Sequence, residues 1–242
     1  MEILLAWMWA PQKIHYNIPP SLFWLLWLGF AALMALMLYA KSRQVRKRRE
    51  ELEQLAMQNG FVFSAKPDEA LAGQLAQIQV SGGALIGQAR FSNVLQGSAG
   101  GGEAIIADRT VGSGKNQSTS TIVAYKLGAP LPDFALCPEN VLWRLADKLG
   151  YSDIDIDGAP DFSQRYFLHG KDQAAVRALF KPEVTQAFEQ LPVNLNVSGS
   201  GPWLVVHRPK RLISASELRD FLQQGEVVAG AFRRSQPRGI FG

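Results

Sequence analysis

The stretch Ser21–Ala40, SLFWLLWLGFAALMALMLYA, holds no charged residue over 20 positions. At about 1.5 Å of rise per residue, a helix of that length reaches roughly 30 Å, the thickness of a bilayer's hydrocarbon core. Its seven Leu and two Phe favour insertion by about 0.3–0.6 kcal/mol each, and no Lys, Arg or Asp opposes them. Buried core helices usually run shorter, so the segment is expected to be a transmembrane helix. A cleaved signal peptide needs a basic start, an apolar run of about 7–15 residues and a small-residue cleavage site. Here the start is not basic and the exit reads Tyr39-Ala40-Lys41.

Immediately beyond, Lys41, Arg43, Arg46, Lys47, Arg48 and Arg49 put six positive charges into nine residues, whereas the charged side chains of residues 1–20 are Glu2 and Lys13. Cytoplasmic flanks carry the excess of Lys and Arg. The expected topology is therefore that of a single-pass inner-membrane protein, with residues 1–20 as an extracytoplasmic tail and the body in the cytoplasm. The tail begins MEILLAWMWA, and the indole rings of Trp7 and Trp9 suit the headgroup boundary. Residues 41–59 are strong helix formers, with Glu51 and Glu53 at pairing distance from the earlier cations. They are expected to form a basic juxtamembrane helix ending at Gly60, with the six cations on the membrane surface. Anionic lipid headgroups would attract such a cluster.

The formal net charge of +4 is a local effect, because from Glu50 onward the sequence carries 18 basic and 20 acidic side chains. A nucleic-acid footprint would place a Lys/Arg stripe interleaved with aromatics on this part. No such run stands out, and nucleic acid is not an expected partner. The single cysteine, Cys137, can form neither an internal disulfide nor a multi-thiolate metal site. No residue pattern asks for a cofactor.

The body reads as α+β. Phe61–Ser64 is a short strand, and Pro67-Asp68-Glu69 opens a helix to Gln77. Residues 84–95, 104–110 and 119–127 read as antiparallel strands joined by glycine-rich turns at 97–102 and 112–117. Pro130-Leu131-Pro132 is a natural seam. Beyond it, Val141, Leu142, Leu145 and Leu149 share a helix face closed by Gly150; further helices start at Asp172 and Pro182. Residues 193–197 and 203–207 are expected to pair around Ser198-Gly199-Ser200-Gly201. Ser214-x-x-Glu217 is a capping box for a last helix ending at Gly225. The similar runs at Leu55–Phe61 and Leu145–Tyr151 suggest two like lobes, 60–130 and 131–232, followed by a loose tail at 233–242.

Three motifs invite a chemical claim. Gly112-Ser113-Gly114-Lys115 suggests a phosphate loop, but the required first glycine falls on Arg109, Asn116 follows the lysine, and the next residues are β-forming. Asp153-x-Asp155-x-Asp157-Gly158 matches the first half of a calcium loop, with Asp161 at its ninth position. In the second half Pro160 occupies the eighth position and Gln164 replaces the closing glutamate. Ile154 and Ile156 alternating with the aspartates equally describe a strand with one apolar and one wet face. His15, His169 and His207 are scattered, and neither a nucleophile elbow nor a paired-histidine motif is present.

Residues 109–115 (RTVGSGK), 153–157 (DIDID) with 161–163 (DFS), and Tyr166-x-Leu168-x-Gly170 leading into Val176-Arg177-x-Leu179-Phe180 resemble a family of uncharacterised bacterial proteins with one span and a cytoplasmic domain of unknown function. The resemblance implies an anchor-plus-domain layout and no particular activity. The expectation is a membrane-tethered interaction or accessory module working with the lipid bilayer and a protein partner. The alternative is a divalent-ion-dependent enzyme or sensor, with Asp153, Asp155, Asp157 and Asp161 as metal ligands.

Overall fold

The computed structural model describes residues 20–78, 89–139 and 153–236. The apolar decamer at the N-terminus, the expected helix at 141–149, the second of the two similar runs and residues 237–242 lie outside them. Contacts divide the chain into two units, Met1–Lys47 and Arg48–Gly242.

Helix α1, Pro20–Asn59, is, among the described residues, the one helix long and apolar enough to cross a membrane. Its apolar side chains from Phe23 to Tyr39 are exposed, Trp24 at 68% and Leu28 at 66%. A surface of that kind is stable in hydrocarbon and costly in water. The helix continues to Asn59 because residues 41–59 contain no proline or glycine and are rich in strong helix formers. Gly60, at φ +72°, then supplies the left-handed residue that closes it.

In the second unit, β1 (Val62–Ser64), β2 (Arg90–Ala99), β3 (Gly102–Val111), β4 (Ser118–Pro138), β5 (Tyr166–Gly170) and β6 (Asn196–His207) form one antiparallel sheet. Its path is β1-β2-β3-β4-β5, with β6 also paired to β4. The described residues also form helices α2 (Glu69–Gln77), α3 (Pro160–Arg165), α4 (Gln173–Leu179), α5 (Pro182–Glu189) and α6 (Ala215–Ser235). The α+β class with an antiparallel sheet is thus as expected.

Four local differences are informative. The seam expected at 130–132 lies inside β4, which pairs with β6 both before it (Ile122–Lys126 with His207–Trp203) and after it (Phe134–Leu136 with Gly199–Val197). The sheet therefore runs through the boundary drawn between 60–130 and 131–232. The hairpin expected around Ser198–Gly201 is instead the middle of β6. Gly199 is required there because a Cβ would collide with the Phe134 ring, and a shift in register accommodates Gly201. The last helix passes Gly225 and ends at Ser235. A Cβ on Gly225 would strike the hydroxyl of Tyr125, which donates to the Leu222 carbonyl at 3.1 Å; the glycine makes room for a crossing side chain and does not stop the helix. Arg233, expected in a loose tail, donates to the carbonyls of Gly100 and Lys126.

The larger core lies on one sheet face, where Leu95, Ile106, Val123, Tyr125, Leu204 and Val206 meet Leu52 and Ala56 of α1 and the apolar side of α6. An aromatic group, Phe134, Phe162, Tyr166, Phe180, Phe188 and Phe232, extends it, with ring centroids 5.2–6.4 Å apart. The opposite face carries a smaller core, in which Leu71 and Leu75 of α2 cover Val94, Ile105, Ile122 and Val205.

Candidate functional site

Two charged clusters stand out, and they are built in opposite ways. The first is centred on Asp108, which lies in the apolar β3 run AIIADRT and is buried. Arg48 of α1 meets it in a fork: Nε donates to Oδ2 at 2.8 Å and Nη2 to Oδ1 at 2.7 Å. Thr121 Oγ1 donates to Oδ1 at 2.9 Å and Asn93 Nδ2 to Oδ2 at 3.0 Å. Both carboxylate oxygens thus accept two bonds. The Thr121 hydroxyl is also fully used, because it accepts from Arg48 Nη2 at 3.1 Å and from the Ile213 backbone N–H at 3.0 Å. Arg48 Nη1 donates to the Ile213 carbonyl at 2.8 Å. Asn93 reaches the site from an irregularity in β2 between Ser92 and Leu95, where it adopts φ +50°, a bulge that re-aims its side chain.

Arg48 is therefore a junction residue within the folded body. Its side chain is 18% exposed against 5% for Asp108, which corrects its expected place among the membrane-surface cations. Lys41, Arg43, Arg46, Lys47 and Arg49 are exposed. A bidentate arginine to carboxylate pair with every remaining polar site filled fixes geometry more than it adds stability. Here it fixes the last turns of α1 against β3, β4 and the segment before α6. The one signal in the sequence is a lone carboxylate inside an apolar strand, which requires a buried partner.

The second cluster is the run 153–158. Asp153, Asp155 and Asp157 are exposed, Ile154 is buried and Ile156 is half-buried, so side chains alternate between a wet and an apolar side although residues 153–158 are outside the sheet. Asp153 Oδ1 accepts the backbone N–H groups of Ile154 and Leu168 at 2.8 and 2.9 Å. Gly158 turns at φ +80° and Pro160 starts α3, placing Asp161 in a helix's first turn. Among the described residues no group of three or more His, Cys, Asp or Glu is placed to hold a metal ion. The four aspartates proposed as ligands are thus divided between an exposed run and the first turn of α3.

His169 lies near enough to Asp153 for their charges to interact. Burial lowers the imidazole's pKa and Asp153 raises it. Partial desolvation raises the Asp153 carboxyl although the residue as a whole is exposed, opposed by its two backbone donors, with Asp155 adding to the rise. Glu139 is raised by burial and by Asp153. Burial, then Glu139 and Asp153, push the Cys137 thiol up to about 11, so at neutral pH it is not a nucleophilic thiolate. His207 lies elsewhere, paired in register with Ile122 on β4. Burial, with the charge of Arg109 adding to it, brings its pKa down to about 3. A shallow cavity of about 130 Å³ between Ile156–Ala159 and α5 is below the ~300–1,000 Å³ of typical small-molecule sites.

Among the described residues, the chain combines one long apolar helix with an α+β body that the Arg48–Asp108 pair braces from within. No protein-family model matches the sequence, and no curated protein matches it. Among solved structures, the crystal structure of the mycobacterial trehalose monomycolate transport factor A, TtfA, is similar in fold, with a TM-score of 0.57 at 14% sequence identity. The match covers 81% of this chain and 97% of that chain.

Proposed function

We propose that this chain is a membrane-tethered accessory factor whose body faces the cytoplasm and docks a membrane-resident partner protein in a transport process. The observation that carries the reading is the joining of an apolar helix to a folded body by one continuous α1, whose last turns Arg48 locks to the sheet. Tethering confines the body to the bilayer surface and raises its effective concentration for partners there. The fold shared with a protein named as a transport factor supports the choice of process. Lys41, Arg43, Arg46, Lys47 and Arg49, all exposed, act in this reading as topology determinants and as contacts for anionic lipid headgroups. Site-specific photo-crosslinking in intact cells tests the proposal. It predicts that positions on the body capture one discrete membrane protein, and that exchanging residues 21–40 for an unrelated span preserves the capture whereas deleting them abolishes it. Crosslinks only within the chain itself would refute it.

A further inference from the structure

The body's charges are sorted along its sheet. The described residues between 131 and 207 include nine acidic and four basic side chains. At the other end, the β3–β4 turn with its flanks, 109–121, and the segment after β6, 207–213, hold Arg109, Lys115, Arg208, Lys210 and Arg211 and no acidic residue. Register brings these segments together with Arg90: Arg90 pairs with Thr110, Arg109 with Ser120, and Ile122 with His207, while the Thr121 N–H donates to the Arg211 carbonyl. The sequence shows no basic stripe because its members are separated by up to 120 positions and meet only in the sheet.

Arg90, Lys115 and Lys210 are exposed and make no ion pair among the described residues. Arg109 is half-buried, Arg211 pairs with Glu217, and Leu212, beside Arg211, is 41% exposed. Asp108 is neutralised by Arg48, and Glu217, which follows Leu212 at the start of α6, is paired with Arg211. Arg48, which follows Ala40 by eight residues, bonds to this same end of the sheet through Asp108, Thr121 and Ile213.

We infer that this loop end of the sheet, with Arg90, Lys115, Lys210 and Leu212, is a second membrane contact, one that binds anionic lipid headgroups. Cations near an anionic leaflet attract it within a Debye length, and an exposed leucine among them can enter the headgroup boundary. The acidic end is repelled by the same leaflet, so the charge sorting orients the body. The inference rests on residues 21–40 being a span and is independent of any transport role.

The test uses the full chain reconstituted in phosphatidylcholine vesicles with and without phosphatidylglycerol. A single environment-sensitive fluorophore is placed by Leu212→Cys or, as a control at the acidic end, by Asp157→Cys; the buried, high-pKa Cys137 stays unlabelled at neutral pH. The label at 212 is expected to shift to the blue and to be quenched by spin-labelled lipid only when phosphatidylglycerol is present. The effect should vanish in high salt and in the Arg90→Gln/Lys115→Gln/Lys210→Gln variant, whose melting should match the parent's, while the label at 157 stays silent. Retention on the vesicles with an unresponsive label at 212 overturns the contact alone. Loss of the chain from the vesicles in carbonate overturns the span and the contact together. A label that answers single-stranded DNA and not anionic vesicles overturns it in favour of a nucleic-acid surface.

Discussion

Asp108 and the aspartates at 153, 155 and 157 are the same chemical group in two opposite settings. Asp108 stands alone in an apolar strand and is buried, with four hydrogen bonds to Arg48, Thr121 and Asn93. The three aspartates form a conspicuous motif and are exposed along one edge, with isoleucines turned inward. A carboxylate's importance to a fold follows from the water it has lost, and motif density is a poor guide to that.

The comparison can be broken most directly at Asp108. Asp108→Ala leaves Arg48, Asn93 and Thr121 without their acceptor and is expected to destabilise the body by about 3–5 kcal/mol, the range for removing one partner of a buried pair. The paired replacement Arg48→Met/Asp108→Leu should recover most of that loss. Chemical denaturation of all three proteins reads the difference, and a loss under about 1 kcal/mol in Asp108→Ala would mean that the pair is a surface one.

Next in size is a dependence on pH. An unfolded histidine titrates near 6.5, whereas His207 in the fold is held at about 3. Between those values the unfolded chain binds the extra proton, so this group's contribution is complete above about pH 6.5 and falls with acid, by at most ~1.4 kcal/mol per pH unit. Asp153 and Glu139, both raised in the fold, act in the opposite direction, because their folded forms hold protons more tightly. Melting from pH 7 to pH 4 should therefore fall more steeply for the parent than for His207→Leu, and parallel curves would contradict the buried neutral imidazole.

Gly225→Ala tests the packing of α6 on Tyr125. Alanine gains about 1 kcal/mol of helix propensity, yet its methyl would meet the Tyr125 ring, and overpacking costs roughly 1–3 kcal/mol. A net loss of about 1 kcal/mol in a thermal melt is expected, and a stabilised variant would show that Tyr125 moves freely. The smallest effect belongs to the acidic run. Asp155→Asn should change stability by no more than about 0.5 kcal/mol, and calcium should shift the melting of neither form.

Much of the architecture was legible from local signals. The long apolar helix follows from length and absence of charge, Ser214 and Glu217 form the capping box that their spacing announces, and Asp68 and Asp172 cap the helices they precede. What local reading missed depends on residues distant in the chain. Gly199 and Gly225 look like turn and stop signals, but they exist to admit Phe134 and Tyr125, neither of which is nearby in sequence. Arg48 looks like one more cation in a cluster of six; its carboxylate partner is 60 residues away. In the acidic run the alternation of exposed aspartates with inward isoleucines is a local pattern, and the sequence shows it directly.

The central claim is that residues 21–40 hold the body at a membrane with its C-terminus in the cytoplasm. It is tested by placing a C-terminal epitope on the full chain, extracting membranes with alkaline carbonate, and treating intact and permeabilised cells with protease. The account predicts retention in the carbonate pellet and an epitope lost only after permeabilisation. Release by carbonate, or digestion of the epitope on intact cells, would contradict it.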